Sequence, residues 1–386
     1  MPLFAWGAEG YAPGMSTLPE PAAVPVVDLG GGEPPPALPA SGPLVLRGAV
    51  SRWPVVVSSD TARSARAYLS RFDNGRPVET IFGPPDIGGR FFYNDALTGV
   101  NFEKKSVALS DSLRELTEHA DGDGARTVYV QSVPTGTVLP GFDRENRSEL
   151  VPPGVEPRIW IGGRLTVQTH YDLSHNVACC VAGRRRFLLF PPGQLGNLYP
   201  GPFQLTLAGP PVSMVRPDDP DLERYPRFAE AMKHALVAEL EPGDAIFIPY
   251  AWWHHVMSTA PFNILVNYWW KDADGLGSPY DAMLHAVLAF RDMPEAERAV
   301  WRNMLDHYVF CENGSPTEHL PPHARGPLGE MDEGARSRAW AALASGVMRE
   351  AVKRNGPPPG RPPAPQRPAA RTSWHMSSNP PGTGPR

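Results

Sequence analysis

Three cysteines in 386 residues cannot build a disulfide framework, and the adjacency of Cys179 and Cys180 disfavours an unstrained bond between them. They read as small apolar strand residues in a reducing cytoplasm. No apolar run approaches the ~20 residues of a membrane span. The N-terminal stretch MPLFAWGAEG has no charged segment followed by an apolar one, so no secretory signal is expected. Positive charge is not in excess either. Thirty-six Lys and Arg against 41 Asp and Glu leave a net charge of −5, which argues against a general nucleic-acid binder while leaving room for a local basic groove. Internal repeats and a Gly-rich phosphate loop are also missing.

What the chain does have is 47 prolines, 37 glycines and 41% hydrophobic residues, enough for a large core cut by many turns. Residues 1–23 show no period and are expected to be a flexible N-terminus. VPVVDL (24–29) and the LVL of GPLVLRGAVSRWPV suggest first strands. Asp60 is placed to N-cap a helix through TARSARAYLSRF, and SLRELTEHA (112–120) reads as a second helix. From about residue 126 short β-like runs follow one another: TVYVQSV, PRIWIGG, LTVQTHYD, NVACCVAG and RRFLLFPP. DLERYPRFAEAMKHALVAEL reads as largely helical, and EPGD (241–244) as a type II turn. AIFIPYAWWHHVMS and FNILVNYWW complete a β series of the kind that builds a sandwich or barrel of jelly-roll type. Helices are expected from Ser278-Pro279, from Pro294 and over about 331–354.

Within that series, QTHYDLSHN (168–176) puts His170 and Asp172 one residue apart. On a strand, alternate side chains share a face, so imidazole and carboxylate enter one space. WWHH brings His254 and His255 on another strand. Two histidines and a carboxylate on one face of an iron leave three positions open, as in non-haem Fe(II) oxygenases. A buried histidine is more often a hydrogen-bonded core residue, and His-x-Asp is common by chance. Here both halves occur, in order, within one β region. Alternation sends His254 and His255 to opposite faces, so only one can be a ligand, and the pattern alone does not choose.

The segments GPLVLRGAVSRWP, THYDLSHNVACCVAGRRRFLLFPP, PGDAIFIPYAWWHHV and NILVNYWW together resemble the cupin-like JmjC family of 2-oxoglutarate oxygenases, over roughly residues 24–310. The resemblance implies a mainly β fold with flanking helices: a double-stranded β-helix (jelly-roll) core plus C-terminal helices. It implies Fe(II), 2-oxoglutarate and O2 as cofactors and co-substrates, and it selects His254 as the third ligand beside His170 and Asp172. It also places Arg185 where the family carries a lysine for the distal carboxylate of 2-oxoglutarate, with Tyr129, Asn176 and Asn267 as supporting donors. Two positions depart from the pattern. Arg185 replaces the lysine, a substitution that can still hold a carboxylate by two parallel bonds. Val167 replaces a hydroxyl residue three before His170, and Thr166, on the His170 face by alternation, stands as its substitute. Trp269, two residues from Asn267, is placed to close the pocket.

The domains expected are therefore a flexible stretch 1–23, an oxygenase domain 24–272, a helical region 273–355 that resembles a dimerisation element, and a disordered Pro-rich tail 356–386. A cytoplasmic hydroxylase of a protein or peptide side chain is the first functional expectation. A small-molecule or amino-acid substrate, a tRNA nucleoside, and a catalytically silent binding module of the same fold are the alternatives. No membrane partner is expected.

Overall fold

A computed structural model describes residues 18–30, 36–39, 41–118, 126–203, 209–272 and 277–355. Most of the stretch 1–23 and all of the tail 356–386 lie outside the described residues. The chain divides into two compact units, Met1–Asp274 and Gly275–Arg386.

The first unit holds the strands. In chain order these are β1 (Ala22–Ala23), β2 (Val26–Asp28), β3 (Leu44–Arg47), β4 (Pro77–Gly83) and β5 (Arg90–Phe91). Next come β6 (Glu103–Ala108), β7 (Thr127–Pro134), β8 (Pro157–Gly162), β9 (Leu165–Tyr171) and β10 (His175–Ala182). The last are β11 (Arg185–Phe190), β12 (Leu236–Leu240), β13 (Ala245–Ile248), β14 (Trp253–Ser258) and β15 (Asn263–Trp270). They form a six-stranded sheet, β1-β12-β11-β14-β9-β5, and a nine-stranded sheet, β2-β3-β13-β10-β15-β8-β7-β4-β6. This is the mainly β, jelly-roll-type architecture that the spacing of short runs predicts.

Strand alternation explains how the sheets pack. Ala178 and Cys180 on β10, Leu265 on β15, Phe187 and Leu189 on β11 and Val256 on β14 meet in one interior cluster between the two sheets. The intervening Val177, Cys179 and Val181 face the other way and pack with Leu69 and Leu113 of the helices Ala62–Ser70 and Leu109–Glu118. Both faces of β10 are therefore buried, which is why NVACCVA reads as an unbroken apolar run. Cys179 and Cys180 are free, buried thiols whose pKa values burial pushes up.

Three local expectations are corrected. The helix Ala62–Ser70 is capped by Thr61 in a reciprocal box with Ser64, and Asp60 instead accepts from the Ser64 hydroxyl. Residues 221–240 are not largely helical. Only Phe228–Met232 forms an α-helix, whereas Leu236–Leu240 is β12, because Ala238 and Leu240 alternate into the interior cluster beside β11. Ala22–Ala23, inside the stretch read as flexible, already pairs with β12. The EPGD turn is as expected: Asp244 donates back to Glu241, and Gly243 holds φ +98° at the third position.

The second unit contains helices Pro279–Phe290, Glu295–Tyr308 and Glu333–Asn355. Ser278 caps the first through the Asp281 amide, with Pro279 in the first turn, as its sequence predicts. Among the described residues no helix is long and apolar enough to cross a membrane.

Candidate metal centre

β9 and β14 are antiparallel neighbours, and their register sets His170 directly against His254. The two rings lie 4.2 Å apart, and Asp172, just past the end of β9, brings Oδ2 to 3.6 Å from His254 Nε2. One ligand atom from each of His170, Asp172 and His254 falls within 4.8 Å of the others, the only such cluster among the described residues. His170 Nδ1 lies 2.8 Å from the Gln168 carbonyl and His254 Nδ1 lies 3.0 Å from the Trp252 carbonyl. A carbonyl can only accept, so each Nδ1 carries the proton and each Nε2 is left with its lone pair. Burial, then His170, pulls the His254 pKa down to about 4, with Asp172 opposing, so the imidazole is neutral near pH 7. Trp269 Nε1 donates to Asp172 Oδ2 at 3.1 Å and orients the carboxylate. Two imidazoles with Nδ1 tied to backbone carbonyls, and one oriented carboxylate at the end of β9, fit an Fe(II) ion and leave its remaining positions to other ligands.

The ambiguity of the paired histidines resolves by packing. His255 points to the opposite face, fully buried, where its Nδ1 meets Thr169 Oγ1 at 3.2 Å. Trp253 shares that outer face, in a cluster with Leu188, Phe190 and Phe228. WWHH thus supplies core and ligand residues in alternation.

Arg185 begins β11, on the face that Phe187 and Leu189 send into the interior. It is 3% exposed, and its Nε and Nη2 have no hydrogen-bond partner among the described residues. These two atoms form the side-on fork of the guanidinium. At the surface of the same unit, Arg126 uses the same fork to hold Glu115, with Nε at 2.6 Å and Nη2 at 2.8 Å from the carboxylate oxygens. An inward cation with both fork donors unpaired is costly and suits a carboxylate from outside the chain. Burial pulls the Arg185 pKa down, and the buried Tyr129, whose phenol burial holds protonated, is among the groups it interacts with.

The remaining expected residues form a relay. Trp160 Nε1 donates to Asn267 Oδ1 at 2.6 Å, and Asn267 Nδ2 donates to Asn176 Oδ1 at 3.1 Å. Tyr129 stacks on Trp160, which meets Trp269 edge-on. Thr166 does not join them. A β-bulge between His170 and Val167 adds a residue to β9 opposite His255 and inverts the alternation. Val167 therefore lines the small cavity beside His170, with Tyr129, Gln131, Gln168 and Phe91, and Thr166 does not. Gln131 in that cavity escaped the sequence reading. The only signal for it was its place two residues after Tyr129 on the same strand.

A family model described as the cupin-like domain matches residues 37–275. Over 161 residues the chain is 37% identical to the tRNA wybutosine-synthesizing protein 5 of Gallus gallus, covering 42% of this chain and 46% of that protein. It is 35% identical over 172 residues to the HSPB1-associated protein 1 of Homo sapiens, covering 41% and 34%. It is 32% identical over 168 residues to the lysine-specific demethylase JMJ31 of Arabidopsis thaliana, covering 43% and 27%. The chain thus spans less than half the length of each of these relatives.

Proposed function

The chain belongs to the cupin-like, JmjC-type family, whose members are Fe(II)- and 2-oxoglutarate-dependent oxygenases or demethylases, and from that premise we propose that it is such an oxygenase, hydroxylating a C–H bond of a protein or peptide side chain. The observation that carries this reading is the buried, unpaired Arg185 fork, on a residue paired with Ser258, which shares the β14 face of the metal-site His254. A metal site alone would serve many reactions. A metal site with an inward guanidinium asks for a ligand carrying a carboxylate at its far end.

In this reading His170, Asp172 and His254 hold Fe(II), and Arg185 takes the distal carboxylate of 2-oxoglutarate beside Tyr129. When bound, the iron and the oxo acid supply oxidative decarboxylation to succinate and CO2, coupled to insertion of one O2-derived oxygen into the substrate. The protein's own part is arrangement. The Gln168 and Trp252 carbonyls keep protons on the Nδ1 atoms, so both Nε2 atoms stay available. Trp269 orients Asp172, and the Trp160–Asn267–Asn176 relay stiffens the floor. Tyr129, Phe91 and Val167 line the cavity beside His170 with largely apolar surface.

Anaerobic addition of Fe(II) and 2-oxoglutarate should produce a weak visible charge-transfer band, and aerobic incubation should release succinate. His170→Ala should abolish both. Succinate production undiminished in that variant would sink the assignment, and the absence of any band in the native protein would favour a silent binding module.

A tRNA nucleoside is the second substrate class, supported by the 37% identity to a wybutosine-synthesizing protein. The net charge of −5 weighs against it. A gain of roughly 16 Da (one oxygen atom) on a peptide rather than on tRNA, after incubation with cell extract, separates the two. The second unit is assigned to self-association as a homodimer, supported by apolar stripes that its helices leave exposed.

A further inference from the structure

One buried hydroxyl in the interior has no role in the reading above. Ser258 ends β14, is 4% exposed, and its Oγ has no hydrogen-bond partner among the described residues. The β11–β14 register sets Ser258 directly opposite Arg185, the residue whose fork is likewise unpaired. Directly opposed residues of antiparallel strands send their side chains to the same face. The β11–β14 pairing is regular from Arg185–Ser258 to Phe190–Trp253, so His254, Val256 and Ser258 share one face, and Val256 lies in the interior cluster.

Two unpaired donors side by side in an apolar lining are costly separately and are relieved together by one acceptor. The strand residues flanking Ser258 offer none. Leu165 flanks Ser258 on β9, Val256 lies two residues along β14, and Val167 lies opposite Val256. A carboxylate has about four lone-pair sites. The Arg185 fork uses two, which leaves sites for a hydroxyl beside it. We propose that Ser258 donates its Oγ–H to the carboxylate held by Arg185, and that this pair makes the site selective for 2-oxo dicarboxylic acids. The inference rests on the oxygenase reading above, since that reading supplies the ligand.

The register also gives the pair a ruler. Ser258 lies four residues from His254 on the same strand face, ~13 Å at 3.3 Å per residue. A metal held at the His254 end would supply the anchor for one end of a five-carbon diacid, and Arg185 would receive the other. A 2-oxo monocarboxylate can bind the metal end but leaves Arg185 and Ser258 unpaired, so the site discriminates against it by the stranded donors.

The test is equilibrium binding of 2-oxoglutarate to the full chain loaded with Mn(II), followed by tryptophan fluorescence, together with melting temperatures with and without ligand. Ser258→Ala should weaken 2-oxoglutarate binding about tenfold or more. It should leave the weak binding of pyruvate, a monocarboxylate probe, unchanged. The ligand-free melting temperature should hold or rise, because an unpaired buried hydroxyl is removed, whereas a hydroxyl needed by the fold would lower it. Ser258→Thr, which keeps the donor, should bind within a few-fold of the native protein. Equal affinity in native protein and Ser258→Ala, or equal losses in the Ala and Thr variants, would overturn the role of the hydroxyl. If Arg185→Ala abolishes binding while Ser258→Ala does not, the oxygenase reading stands and this inference fails. If native protein and Arg185→Ala both bind no 2-oxoglutarate, the oxygenase reading itself fails.

Discussion

At His254 and His255 two adjacent imidazoles occupy opposite faces of β14, and burial draws their pKa values from the ordinary 6.5 to about 4 and about 3. In His255 the Arg90 cation adds to the effect of burial, and Asp218 opposes it. In the unfolded chain both rings take up a proton as pH falls through about 6.5. In the folded, metal-free chain neither does so before about pH 4. Across that window the unfolded state binds more protons, so stability is full above pH 6.5 and is lost as pH falls. The His254 shift alone corresponds to ~3 kcal/mol at about 1.4 kcal/mol per pH unit. The metal-free protein should therefore melt at a lower temperature at pH 5 than at pH 7, and His255→Gln should flatten the difference. Identical pH profiles for native protein and variant would contradict the assignment of His255 to a neutral core role. The same pair marks how far residue-level reading goes. His170, Asp172 and the His254/His255 alternative were legible because period-two alternation is local. Ser258 was not, since its meaning comes from facing Arg185 across a pairing that joins positions 73 residues apart.

Elements were legible where composition and tertiary context agreed. β7 to β11 fall almost where their apolar runs suggest, and the Ser278-Pro279 helix start holds. The failures have a common cause. LVAEL (236–240) has helix-forming residues but becomes β12 because β11 offers it a pairing edge and the interior takes Ala238 and Leu240. The bulge in β9 leaves no mark in LTVQTHY, yet it exchanges Val167 for Thr166 at the cavity. Register between strands therefore decides which residues line the cavity beside His170, and the β10–β11 turn fixes the register at which Arg185 enters β11. Gly183 in that turn has φ +75°, and a Cβ there would fall 2.2 Å from Asn263 Oδ1 and 2.5 Å from the Phe262 carbonyl. Asn263 cannot easily yield, being fully buried and bonded to the Arg184 amide and to the Gly163 and Ala260 carbonyls. Gly183→Ala should cost at least ~2 kcal/mol, ~1 for the left-handed backbone and the rest for the displaced turn. It should also raise the KM for 2-oxoglutarate by shifting Arg185. A urea midpoint unchanged from the native protein would mean the turn does not hold this register.

At the scale of the whole molecule, the first unit buries its apolar residues in clusters on both faces of its sheets, while the second unit leaves many exposed. On helix Glu295–Tyr308, Val300, Trp301, Met304 and Tyr308 are 52%, 40%, 42% and 49% exposed and recur at helical spacing. Trp340, Leu343 and Val347 do the same on helix Glu333–Asn355, at 47%, 49% and 43%. Such a face on helices this long is an interaction surface in most soluble proteins, and a two-fold partner is the commonest way to cover it. The sequence pattern carried this much, since the stripes are visible in the residue spacing. It could not say what covers them, because a stripe facing a core and a stripe facing a second copy have the same period. We expect the full chain to sediment as a dimer at micromolar concentration. A double substitution, Trp301→Glu with Met304→Glu, should yield monomer whose secondary structure is intact by circular dichroism, since both side chains are at least two-fifths exposed already. A native chain that sediments as a monomer at every concentration up to tens of micromolar would exclude the homodimer and leave the stripes to a different partner.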